Sequence, residues 1–139
     1  MERFKFSNFR YFERPVRVEG LIYATPEALY QSRKTLDHAE RKRIAEARLP
    51  NEAKWFGRRV TLRQDWNDIK IEVMKWVQTL RFEQPKAKLE LMSYVGELVE
   101  YNWWHDNFWG YCVCEKCKSK AKHNHLGNII YDIRLRKEN

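Results

Sequence analysis

The stretch from Asp65 to Leu80 constrains this chain more than any other. Trp66, Ile69, Val73, Trp76, Val77 and Leu80 recur at three- and four-residue steps. That spacing lays one apolar stripe along a helix, and Asp65 is suited to cap it. Other helices should surround it. Thr25-Pro26-Glu27 is a strong helix start: Thr caps, Pro fits the first position and the acid suits the dipole. That helix should reach about Lys34. Further helices are expected over about His38–Arg48, about Asn51–Arg59, from Pro85 to near Gly96, and over about Leu126–Leu135. Phe4 to Asn8 and Val18 to Tyr23, around Pro15 and Gly20, read as short strands or an ordered loop with a turn at Gly20. Glu97–Tyr101 reads as extended, and Asn102–Asn124 as an irregular, functional loop. The expectation is an α+β fold, predominantly helical with a few short strands, forming a single domain over residues 1–139.

Size and composition support an ordered domain. The chain has 139 residues, 43% hydrophobic and 33% charged, which is globular and not disordered. Its formal net charge of +8 favours phosphates and nucleic acids as neighbours. No apolar run reaches the ~20 residues of a membrane span, so no membrane partner is expected. The three cysteines follow no secretory segment, so a cytoplasmic protein with reduced thiols is expected.

Several segments carry chemistry. Glu27 in a first helical turn is a candidate carboxylate, although dipole compensation at a surface also accounts for an acid there. From Glu100 to Gly110, Glu100 and Asp106 flank Trp103, Trp104 and Trp109, with His105 and two Asn alongside. This is either a stacking pocket for a sugar or base with an acid in it, or a loop whose indoles plug the core. Among the basic residues, Arg63 and Lys70 flank the start of the Asp65 helix and are the best phosphate ligands. Cys112-Val113-Cys114-Glu115-Lys116-Cys117 is followed by His123. Cys112, Cys114, Cys117 and His123 can complete a closed, structural zinc site. The alternative is free thiols in a lysine-rich hairpin.

Together the segments resemble the YbiA-like, NAD- and ADP-ribose-associated family. The resemblance runs through Phe6-Ser7-Asn8-Phe9, then Glu27 with Gln31 and Lys34, Gly57-Arg58, and Arg63 with Asp65-Trp66 and Lys70. It continues through Leu98-Val99-Glu100, Asp106 with Trp109-Gly110, and Asn124 with Leu126-Gly127. The matching order covers about residues 4–136. Two departures stand out: the Cys-rich hairpin with Lys122 replaces what is often a short Gly-containing loop, and Ala28 stands where His is frequent.

The resemblance implies N-glycoside hydrolysis of a phosphorylated ribosyl or ADP-ribosyl compound. The substrate is either an ADP-ribosylated guanine in DNA or a ribosylaminopyrimidine phosphate of riboflavin synthesis. It places Glu27 and Asp106 around the reacting carbon, with Glu100 as a further candidate acid. Trp109 forms an apolar wall, Asn8 and Asn124 hold hydroxyls, Arg63 and Lys70 hold phosphate, and Trp66 and Gly110 complete the substrate contacts. No cofactor is needed for this chemistry, and any zinc is structural. Two rival functions share these residues. One is a non-catalytic ADP-ribose- or NAD-binding module; the other is a basic nucleic-acid-binding protein with a Cys/His zinc hairpin.

Overall fold

A computed structural model describes residues 3–139; Met1 and Glu2, expected to belong to the same domain, lie outside the described residues. Among the described residues there are six α-helices, four short strands and one 3-10 turn. They fall into two compact units, residues 8–89 and residues 3–7 together with 90–139. The expected mainly helical α+β class is the observed one.

The first unit opens with an antiparallel hairpin of β1 (Val16–Val18) and β2 (Leu21–Tyr23). Glu19 and Gly20 turn it with positive φ angles of 51° and 80°, the mirror-image turn that suits twisted strands. Phe4–Asn8 forms no strand; Phe6 is buried instead. Helix α1 (Pro26–Ser32) is buried at every residue. Thr25 caps it as expected, its hydroxyl accepting from Ala28 N at 3.1 Å. Around α1 pack α2 (His38–Ala45), α3 (Pro50–Gly57) and α4 (Trp66–Glu83). Helices α1 and α2 start where expected and α3 one residue early, at Pro50; these three stop two or three residues short, where Arg33, Glu46 and Arg58 close the last turns.

Two expectations for α4 need correction. Asp65 makes no side-chain cap bond; its carboxylate is held by the Arg63 guanidinium at 2.6 and 3.2 Å. The buried face is also rotated from the apolar stripe. Trp66, Met74, Val77, Gln78, Arg81 and Phe82 are buried, while Trp76 is exposed. Buried polar bonds accompany the rotation: Gln78 donates to Asn8 and Arg81 to Gln78 one turn back, contacts that the periodicity of apolar residues does not register.

Helix α5 (Pro85–Ser93) carries the chain from one unit to the other. In the second unit β3 (Tyr101–Asn102) pairs in parallel with β4 (Tyr111–Cys112). The 3-10 turn Glu115–Cys117 follows, and α6 (His125–Glu138) closes the chain. Leu98, Leu126, Ile129, Ile130 and Ile133 form its apolar centre with Leu91.

Candidate active site

The expected site residues divide between the units. Asn8, Glu27, Arg63, Trp66 and Lys70 lie within residues 8–89, and Glu100, Asp106, Trp109, Gly110 and Asn124 within residues 90–139.

In the first unit Glu27 is not a surface acid: it is only 9% exposed. Its backbone N–H donates to Asn8 O at 3.1 Å. Its Oε2 accepts from Gln31 Nε2 at 2.6 Å, the contact that an i, i+4 spacing on one helix face allows. Gln31 Oε1 is buried with no hydrogen-bond partner. Gly57 packs against that amide so closely that a Cβ would lie 2.0 Å from Oε1. Lys34 lies one turn further on and is partly buried. Burial lowers its ammonium below the ordinary 10.5; the Glu27 carboxylate opposes this, while Arg58, Lys54 and Lys70 add to it. Glu27 and three cations, Arg58, Lys54 and Lys70, therefore all act electrostatically on Lys34. Gln31 and Lys34 are functional candidates that sequence reasoning missed, although both stand in the quoted motif.

The other expected residues of this unit have internal work. The Asn8 side chain accepts from Gln78 Nε2 at 2.6 Å and donates to Met74 Sδ at 3.3 Å. Arg63 is bonded to Asp65 and, through Nη1, to Arg33 O at 3.4 Å. The Arg63 guanidinium bonded to Asp65 holds that carboxyl below its ordinary range. Trp66 is buried against Tyr30, with ring centroids 5.2 Å apart.

In the second unit the loop is organised by two side-chain amides and one carboxylate. Asp106 Oδ1 accepts from Phe108 N at 3.1 Å and Trp109 N at 2.9 Å. Asn102 donates to Glu100 O and Asp106 O and accepts from Trp104 N and Asp106 N, so it ties both candidate acids into one loop. Asn124 accepts from Glu100 N at 3.0 Å and donates to Leu98 O at 2.9 Å. Gly110 and Gly127 allow close backbone approach, because a Cβ on either would lie 2.2 Å from Glu100 O or 1.9 Å from Leu98 O. Trp109 is half-buried, edge-on to Phe108 at 4.7 Å. Trp103 and Trp104 are exposed and do not plug a core. The first two N–H groups of α6 are taken by loop carbonyls, His125 by Phe108 and Leu126 by Trp109, which ties this helix start to the loop. A cleft of about 250 Å³ beside Tyr94, lined also by Arg3, Lys5 and Glu97, shares no lining residue with the expected site.

The cysteines gather around a histidine, but a different one from that expected. His105, Cys112, Cys114 and Cys117 bring four donor atoms within 4.8 Å of one another, a set able to hold a metal ion. His123 is instead stacked on His125, ring centroids 5.2 Å apart and planes nearly parallel. The left-handed backbone at His105, φ 70°, turns its ring towards the thiols, which sequence spacing alone does not reveal. Burial pushes the Cys112 thiol up, but the backbone N–H groups of Cys114 and His105 and the neighbouring thiols of Cys114 and Cys117 outweigh it and bring it down to about 6.

The comparisons agree with this architecture. The family model of the NADAR domain matches residues 2–136. The N-glycosidase YbiA of Escherichia coli strain K12 is 32% identical over 133 residues, covering 93% of this chain and 78% of that protein. The chloroplastic riboflavin biosynthesis protein PYRR of Arabidopsis thaliana is 35% identical over 101 residues, 67% of this chain and 16% of that protein. The NMR structure of Escherichia coli YbiA superposes with a TM-score of 0.75 at 29% identity, covering 96% of this chain and 77% of that one. The fold and the ordered motifs are those of a NADAR domain, and the chain belongs to that family.

Proposed function

We propose that this chain is a hydrolase that cleaves the bond from ribose to nitrogen in a phosphorylated ribosyl or ADP-ribosyl compound. The carrying observation is the buried Glu27 carboxylate, fixed by Gln31 at 2.6 Å and adjoining the cations around Lys34, in a chain similar to proteins named N-glycosidase. Breaking the bond builds positive charge on the sugar carbon and ring oxygen. A fixed carboxylate stabilises that charge and can take a proton from the attacking water. Water adds its oxygen to the sugar carbon, the carbon–nitrogen pair leaves with the nitrogen, and that nitrogen is protonated. Asp106 is the second acid in this reading, with Glu100 as its alternate, and Trp109 supplies an apolar surface.

Lys34 and Lys70 are the phosphate ligands, with Arg58; Arg63, already bonded to Asp65 and Arg33, positions that cluster instead of capturing phosphate. The unpartnered Gln31 Oε1 accepts from a substrate hydroxyl or the attacking water, since a buried acceptor without a donor is costly. No cofactor enters the chemistry, and a metal on the Cys/His cluster is structural. Residues 1–139 act as one domain, and cysteines that form no disulfide fit a cytoplasmic protein.

The test is turnover of ADP-ribosylguanosine, the same adduct in an oligonucleotide, and a ribosylaminopyrimidine phosphate, scored by release of free base. Glu27→Gln and Asp106→Asn are each expected to lower kcat at least about 100-fold, the low end for a general acid or base, with the far-ultraviolet spectrum unchanged. Binding of these compounds without turnover by the unaltered protein identifies a non-catalytic reader and overturns the proposal.

A further inference from the structure

We infer that the hairpin of the second unit is a zinc site of three thiolates and one imidazole, His105, Cys112, Cys114 and Cys117, which fastens the loop carrying Asp106. Zinc–sulfur and zinc–nitrogen bonds of about 2.3 and 2.0–2.1 Å in a tetrahedron put sulfur and nitrogen roughly 3.6 Å apart. His105 Nδ1 lies 3.2 Å from Cys114 Sγ, 3.4 Å from Cys117 Sγ and 3.9 Å from Cys112 Sγ. These three distances bracket that value, and all four donor atoms lie within 4.8 Å of one another. Soft thiolates with one imidazole select zinc over magnesium or calcium, which take oxygen ligands. Four protein ligands leave no position for water, so the site is structural.

The local chain is shaped for this. Cys114 O accepts from Cys117 N at 3.2 Å, closing the 3-10 turn that brings the last two thiols together. His105 keeps an unfavourable left-handed backbone, which a metal bond to its ring would maintain. Lys122 Nζ donates to Cys112 O at 3.1 Å and to Cys117 O. Three thiolates on a divalent ion leave one net negative charge, and this lysine is the cation that offsets it.

The site and the acid loop are one network. His105 immediately precedes Asp106. Cys112 N donates to Asn107 Oδ1 at 2.9 Å, and Val113 N to Asn102 O at 2.8 Å. Asn102 in turn holds Asp106 from both sides. The metal therefore sets the position of Asp106 without touching it.

The full chain, purified without a histidine tag, is titrated with cobalt(II) and then zinc(II). One ion per chain is expected, with thiolate-to-cobalt absorption that zinc abolishes. His105→Ala should weaken binding more than about 100-fold, beyond the roughly 10–100-fold that loss of an outer-shell group costs. His123→Ala should leave affinity within a few-fold, and Lys122→Ala should lower it about 10–100-fold. His105→Cys, which supplies a fourth thiolate, should retain the ion with stronger charge-transfer absorption, so the test survives an unstable alanine variant. Absence of thiolate absorption in the unaltered protein, or dependence on His123 in place of His105, overturns the assignment. The readout needs no substrate, so an inactive protein that binds zinc this way defeats the glycosidase reading alone.

Discussion

Lys34 stands partly buried among Arg58, Lys54 and Lys70, with the Glu27 carboxylate opposing them. Burial and like charge both disfavour its ammonium, so its pKa falls below the ordinary 10.5. Below that lowered value the lysine is charged in the folded and the unfolded chain alike, and the full cost is present. Stability recovers only as pH climbs through the interval from that lowered value up to 10.5. Lys34→Met removes the charge and keeps much of the stem. It should raise the thermal midpoint by a few degrees and at the same time raise KM for a phosphorylated substrate, the trade expected where a site holds strained charge. A fall in thermal midpoint would mean that the Glu27 attraction outweighs burial. The cap and proline signals place Glu27 in the right helical turn but carry no sign of its burial, because α1 shows no apolar stripe: all of its faces are covered.

Element starts were legible because they rest on local chemistry: Thr25 caps, Pro26 and Pro85 open helices, and Gly20 turns a hairpin. What long-range contacts decide was not legible, namely the rotated face of α4 and the choice of His105 over His123. Glycines show the two regimes side by side. Gly20 has positive φ and open space, with nothing within 4 Å of where a Cβ would lie, so Gly20→Ala should cost only backbone strain, about 1–2 kcal/mol. Gly127 sits in α6 with Leu98 O 1.9 Å from where a Cβ would go. Gly127→Ala must push the Leu98–Glu100 segment off the helix and break the Asn124 bonds to it. It should cost more, about 3 kcal/mol or above, at the upper end for overpacking. Urea unfolding of both variants checks the order. Equal costs would show that the Leu98 segment moves aside freely and that Asn124 does not fix Glu100.

Across the whole molecule, the polar chemistry of the two units rests on different supports. Residues 8–89 have a buried helix, α1, enclosed by α2, α3 and α4. The segment from Tyr101 to Asn124 has two two-residue strands and one 3-10 turn, so little regular structure holds it. Such a segment opens locally at low cost unless something cross-links it. A zinc ion on His105, Cys112, Cys114 and Cys117 is that cross-link, and its binding energy is folding energy for the hairpin. Stripping the metal with a chelator should therefore speed amide hydrogen exchange from Asn102 to about Leu126, with Phe108, Trp109 and Val113 among the amides released. Protection in α1 and α4 should hold, because their backbone bonds are intrahelical and lie within residues 8–89. Mass-spectrometric exchange with and without chelator reads both at once. Loss of protection throughout the chain would make the ion a requirement for folding at large, and no change in the hairpin would leave Asp106 held by its asparagine and backbone bonds alone.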